Sequence, residues 1–106
     1  MAERFFRVVS SSPPTPDDFR ARRPGGAEEG FAGERHIESG ISVFATLRQA
    51  RRNARSFPSH GAFIAELVIP DEAEVSFRRT GRQPGHHTVW ASSNELLAWV
   101  TSVLPA

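Results

Sequence analysis

Alternation of apolar and polar positions dominates this chain, broken by two stretches of helical spacing. RFFRVVS, residues 4–10, is rich in aromatic and β-branched side chains and predicts a first strand. A period of two puts Phe5, Arg7 and Val9 on one face and Phe6, Val8 and Ser10 on the other. SSSPPTP then stops regular structure. Thr15, Pro16, Asp17 and Asp18 make a helix start: a hydroxyl cap, proline at the first helical position and acids in the first turn. A short helix is expected from there to about residue 22. Residues 23–39 carry four glycines and no periodicity, which predicts a long loop, functional or disordered.

ISVF, residues 41–44, predicts a second strand. Thr46 and Gln49 have the spacing of a capping box, so a helix should cover 47–57. Its apolar side would hold Leu47, Ala50 and Ala54, with Arg48, Arg51, Arg52 and Arg55 around the rest. AFIAELVIP, 62–70, is apolar on both faces and predicts an interior strand. EVSFRRT, 74–80, alternates with one wet face and predicts an edge strand. HHTVWA, 86–91, predicts a further strand, and Ser92 or Ser93 caps a short helix over NELLAWV. TSVLP, 101–105, predicts a last strand. The order β-α-β-α-β-β-β-α-β argues for an α+β fold: a small, strongly twisted, mostly antiparallel sheet with two or three short helices.

Length fits one domain over residues 1–106, and a hydrophobic content of 39% supports one modest core. The absence of cysteine excludes disulfides, thiolate metal sites and a cysteine nucleophile. No apolar run is long enough to span a bilayer, and MAERFFRVVSSSPP has no signal-peptide core, so a cytoplasmic location without membrane association is expected. All 13 basic residues are arginine. GC-rich codon usage gives one reading of that bias; the suitability of guanidinium forks for phosphate and carboxylate gives another. A net charge of +1 argues against nucleic acid as a bulk electrostatic partner, and a solvated face accounts for the helix arginines.

Several residues carry candidate chemistry. Arg7 lies between Phe5 and Val9, so its guanidinium must meet either an anion or water. Ser42 and Phe44 share a strand face, as pocket wall or as core; Thr46 next to them reads as a cap. His86 and His87 point to opposite faces, so one of them at most can enter a given pocket as a base or a hydroxyl partner. His36 reads as exposed. Glu66 needs a partner, which Arg51 or Arg7 could supply as a structural pair; a catalytic base is the other reading. No metal-ligand spacing, nucleophile elbow or phosphate-binding glycine loop is present.

FFRVV, GISVFATLRQARRNA, AFIAELVIP and HHTVWASSNELLAWV, in that order, resemble the ADP-ribosyltransferase-like superfamily, with echoes of its small bacterial members and of the RNA 2′-phosphotransferases. The resemblance covers residues 4–9 and 40–104 and rests on element order more than on identities. It implies a protein that binds NAD: a small bacterial toxin-type transferase or an NAD glycohydrolase. Arg7 would grip the ribose or phosphate. Ser42 and Phe44 would line the nicotinamide pocket, with Arg51 a further cofactor-binding candidate. His86 or His87 would stand where many relatives keep a catalytic glutamate. That substitution departs from the pattern, because a protonated imidazole has the wrong sign to stabilise positive charge developing on the sugar. The departure admits an alternative: a catalytically inactive scaffold acting as a regulatory or protein-binding module. Implied partners are a nicotinamide nucleotide and a protein such as an antitoxin or a target.

Overall fold

A computed structural model describes residues 2–20 and 40–106. The expected loop at 23–39, and His36 within it, lie outside the described residues. Six strands form one sheet: β1 (Glu3–Val9), β2 (Ile41–Phe44), β3 (Phe63–Ile69), β4 (Ser76–Arg79), β5 (His86–Trp90) and β6 (Val100–Pro105). Their order is β4-β5-β2-β1-β3-β6, and every neighbouring pair is antiparallel. Two α-helices accompany them, α1 (Leu47–Ser56) and α2 (Ser93–Ala98). The architecture is therefore α+β.

The helix expected over residues 15–22 is a shorter element, a 3-10 turn at Pro16–Phe19, and the chain is extended again at Arg20. The stop lies where Arg7 engages the main chain: the Asp18 and Arg20 carbonyls accept from its guanidinium, with Arg20 held extended. Asp18 turns its carboxylate back onto the Ser10–Thr15 loop.

Each face of the sheet has its own core. Phe5, Val9, Ile41, Val43, Ala65, Leu67 and Val89 face Phe19 of the 3-10 turn and Leu96 of α2. Phe6, Val8, Phe44 and Ile64 face Ala50 and Ala54 of α1. Strict alternation along β1 feeds both cores, which is why an all-buried run of five residues ends that strand. Burying one such phenylalanine is worth about 1.5–3 kcal/mol, so neither layer is dispensable.

The ladders differ in extent. β1 and β3 pair continuously from Glu3–Ile69 to Val9–Phe63. β2 and β5 pair from Ile41–Val89 to Phe44–His86. Between them, β1 and β2 are registered at a single pair among the described residues, Phe6–Phe44. The sheet thus has two three-stranded halves, β4-β5-β2 and β1-β3-β6, that meet at that pair.

Candidate functional site

The junction of β1 and β2 is where Arg7 stands. Its side chain leaves β1 on the α2 face and is 2% exposed. Nε donates to the Asp18 carbonyl at 2.7 Å, Nη1 to the Ser42 carbonyl at 2.7 Å and Nη2 to the Arg20 carbonyl at 2.9 Å. A buried guanidinium must have its donors met, and among the described residues these three main-chain oxygens accept from it. The fork joins β1, β2 and the segment after the 3-10 turn at the point where the β1–β2 ladder stops. Arg7 and Ser42 are therefore brought together, but through the Ser42 main chain.

Phe44 belongs to the α1 face with Phe6, opposite Arg7. Ser42, two residues earlier on the same strand, shares that face with Phe44. His86 joins them: it is the registered partner of Phe44, and the two rings meet edge-to-face at 5.4 Å. The ring is held from behind by Thr80, whose carbonyl lies 2.9 Å and whose hydroxyl lies 3.1 Å from Nδ1. A carbonyl can only accept, so Nδ1 donates to it, and Nε2 is the ring nitrogen left turned away from Thr80. The Thr80 hydroxyl continues to the buried Thr88 hydroxyl at 2.6 Å. Ser42, Phe44, Thr80, His86 and Thr88 thus form one largely buried polar-aromatic cluster on the α1 face of β2, β5 and the end of β4.

Two glycines shape its rim. Gly85, at φ +75°, lies where a Cβ would strike the Gln49 side chain, which is itself held by the Thr46 amide at 3.2 Å. Gly40 leaves no room for a Cβ against Thr88 and the Trp90 ring.

His87 takes the other face. Its ring contacts Phe5 at 5.1 Å, and its Nδ1 donates to the Gly85 carbonyl at 2.9 Å. Arg51 lies on α1 and donates to the Pro105 carbonyl at 3.1 Å, at the far end of the sheet from β5. Six candidates thus divide three ways: Ser42, Phe44 and His86 converge; Arg7 and His87 lie on the opposite face; Arg51 ties α1 to β6. Among the described residues, no carboxylate is hydrogen-bonded to His86 or His87.

Glu66 is paired, though with neither arginine that the sequence suggests. Arg4 approaches it at 3.0 Å, and the hydroxyls of Thr101 and Ser102 donate to it at 2.9 Å each. The Ser102 hydroxyl, the Thr101 hydroxyl and the Arg4 charge hold its carboxyl below the ordinary range against the opposing effect of burial. Arg4 is three residues from Arg7 and so on the opposite face, the face that Glu66 shares through its register with Phe6.

Sequence reasoning missed two polar clusters. Asp18 reads as a first-turn acid but receives the Ser10 amide at 2.8 Å, the Ser10 hydroxyl at 2.6 Å, the Ser11 hydroxyl at 2.9 Å and the Thr15 amide at 3.0 Å. Burial pushes this carboxyl up, yet the hydrogen bonds together outweigh it and hold the pKa at about 2. The run of hydroxyls at Ser10, Ser11 and Thr15 ahead of an aspartate was the available signal. Asn53, buried in α1, reaches His60 at 3.3 Å and Gln83 at 3.4 Å; a lone asparagine on an arginine-rich helix gave no signal. No group of three histidine or acidic side chains that could hold a metal occurs among the described residues. Comparison with family models, with curated proteins and with solved structures finds no match for this chain.

Proposed function

We propose that this chain is a regulatory or protein-binding module on an ADP-ribosyltransferase-like scaffold, without transferase chemistry. One observation carries the reading: the cation that NAD binding would need is enclosed, its fork given to the carbonyls of Asp18, Ser42 and Arg20 on the face opposite Phe44 and His86. A guanidinium so engaged would have to break main-chain hydrogen bonds to hold a pyrophosphate. Arg7 is then a structural tie. Its replacement by alanine strands three acceptors and should cost about 3 kcal/mol or more, read as a lower melting temperature.

A second reading keeps the nucleotide, because Ser42, Phe44 and His86 do share one face of the sheet. On it the Phe44 ring and the Ser42 hydroxyl would receive the nicotinamide, and the His86 Nε2 would accept from a ribose hydroxyl. Titration calorimetry with NAD and NMR detection of free nicotinamide separate the two readings. The module predicts neither heat nor release. Nicotinamide release by the wild type that His86→Gln abolishes, with melting temperature unchanged, overturns the module and installs an NAD glycohydrolase or transferase.

A further inference from the structure

The outer side of α1 carries charge that the fold does not use. Residues 40–65 hold four arginines, all on α1, and no acidic residue. At about 100° per residue, Arg48, Arg52 and Arg55 fall within about 60° of one another and make a single exposed stripe. The fourth, Arg51, lies beside them and ties the helix to the Pro105 carbonyl. Among the described residues, none of the four is in a salt bridge.

Helix stability does not account for this stripe. Arg48 stands in the first turn, where the helix dipole favours an acid, and α1 has no acid there. The other helical starts do have one: Glu95 in α2, and Asp17 and Asp18 in the 3-10 turn. Arg48 and Arg52 are four residues apart and Arg52 and Arg55 three apart, so neighbours along the stripe repel each other. A polyanion seated along the helix relieves that repulsion. The net charge of +1 speaks against attraction by the whole chain, whereas this contact needs only three neighbouring guanidiniums.

An aromatic ring at the end of the helix says which polyanion. Phe57 is the C-cap of α1 and keeps 46% of its surface exposed. Its ring stacks on His60, 14° from parallel at 5.1 Å, and His60 is held by Asn53 of α1 at 3.3 Å. A ring backed in this way is a stacking platform, and a platform beside guanidiniums suits an unpaired base on a phosphate backbone. A bilayer would need an apolar face, but the exposed α1 residues Arg48, Arg52, Arg55 and Ser56 are all polar. An acidic peptide would satisfy the arginines and leave the ring unused.

We propose that the outer side of α1 is a site for single-stranded nucleic acid: Arg48, Arg52 and Arg55 hold phosphates, and Phe57 stacks on a base. The inference does not depend on the choice between a binding module and an NAD enzyme. The side of α1 that covers Phe44 is the Ala50 and Ala54 side, and the stripe faces away from it.

Fluorescence anisotropy of the full chain with a short labelled oligo(dT), over a range of salt concentrations, tests this. The logarithm of the affinity should fall with that of the salt concentration at a slope of about −2, for three phosphate contacts. Arg52→Gln should make the slope shallower by about 0.7. Phe57→Ala should weaken binding about tenfold at an unchanged slope, and Phe57→Trp should keep the affinity. Inorganic polyphosphate has no base, so it should bind Phe57→Ala as tightly as the wild type. All these positions are exposed, and far-UV circular dichroism verifies that each variant is folded. No binding of oligo(dT) at low salt overturns the proposal and leaves the arginines as a solvated face. A slope unmoved by Arg52→Gln places the contact elsewhere, and an affinity unmoved by Phe57→Ala removes the stacked base; each overturns it. Polyglutamate or phosphatidylserine vesicles bound as tightly as oligo(dT) overturn it as well, in favour of an acidic protein or a membrane surface.

Discussion

Asp18 illustrates how a single side chain can set the behaviour of a whole loop. One carboxylate gathers two hydroxyls and two amides from residues 10–15, so it does the work that a ladder would do elsewhere. Its pKa of about 2 lies below the ordinary 3.8, so the folded state binds this proton less readily than the unfolded chain. The resulting stability, about 2 kcal/mol, is complete above pH 4 and disappears as pH falls from there to 2. Chemical denaturation across that range should show the loss, and Asp18→Asn should flatten it while lowering stability at neutral pH. Glu66, also held below its ordinary range, adds to acid sensitivity in the same direction. At this scale the sequence made the need visible but not the partner. An arginine between Phe5 and Val9 must be satisfied, and it is. Its acceptors are main-chain oxygens of Asp18, Arg20 and Ser42, which no side-chain pattern records. Glu66 likewise required a cation, and the choice of Arg4 over Arg7 or Arg51 follows from which face of β1 it shares.

Elements were more legible than contacts, because their signals are local. The Thr46–Gln49 box is formed in both directions, with the Gln49 amide reaching the Thr46 hydroxyl at 3.1 Å and the Thr46 amide reaching the Gln49 carboxamide oxygen at 3.2 Å. Ser92 and Glu95 repeat the arrangement at α2, at 3.1 and 2.9 Å. Thr46→Ala should lower the unfolding free energy by about 1 kcal/mol, measured by denaturant titration, whereas Thr46→Ser should keep most of it. Strands announced by a period of two lie within a residue or two of where alternation put them. The 3-10 turn at Pro16–Phe19 was harder, since its proline and acids also suit an α-helix start. At its end the Asp18 and Arg20 carbonyls accept from Arg7 of β1, a tertiary contact acting on local structure.

Strand order belongs to the whole molecule and was legible only in part: alternation marks β3 as interior and β4 as an edge, and both lie there. Nothing in the run of residues tells that β2 enters between β1 and β5, because each pairing joins segments far apart in sequence. The candidate site suffered for this reason: the resemblance gathers Arg7, Ser42, Phe44 and one of His86 and His87 about a single nucleotide, whereas the sheet itself separates Arg7 from Phe44 and His86. The order also ranks local stability. β1 is paired on both sides and covered on both faces, while β4 is paired on one side and exposed along its length. Amide hydrogen exchange should be slowest in β1 and β3 and fastest in β4. Equal protection of β4 and β1 in dilute, monomeric protein would contradict that ranking.

The single registered pair between β1 and β2 has a mechanical meaning. Among the described residues, the sheet is stitched along its middle by one rung and one guanidinium, a book with a narrow spine. Pulled apart at that spine, the molecule would come away as two leaves, each still internally laddered. Resistance to such tearing is shared between the cores that cover the junction on both faces and a side chain whose chemistry alone suggests a ligand, and which serves here as thread.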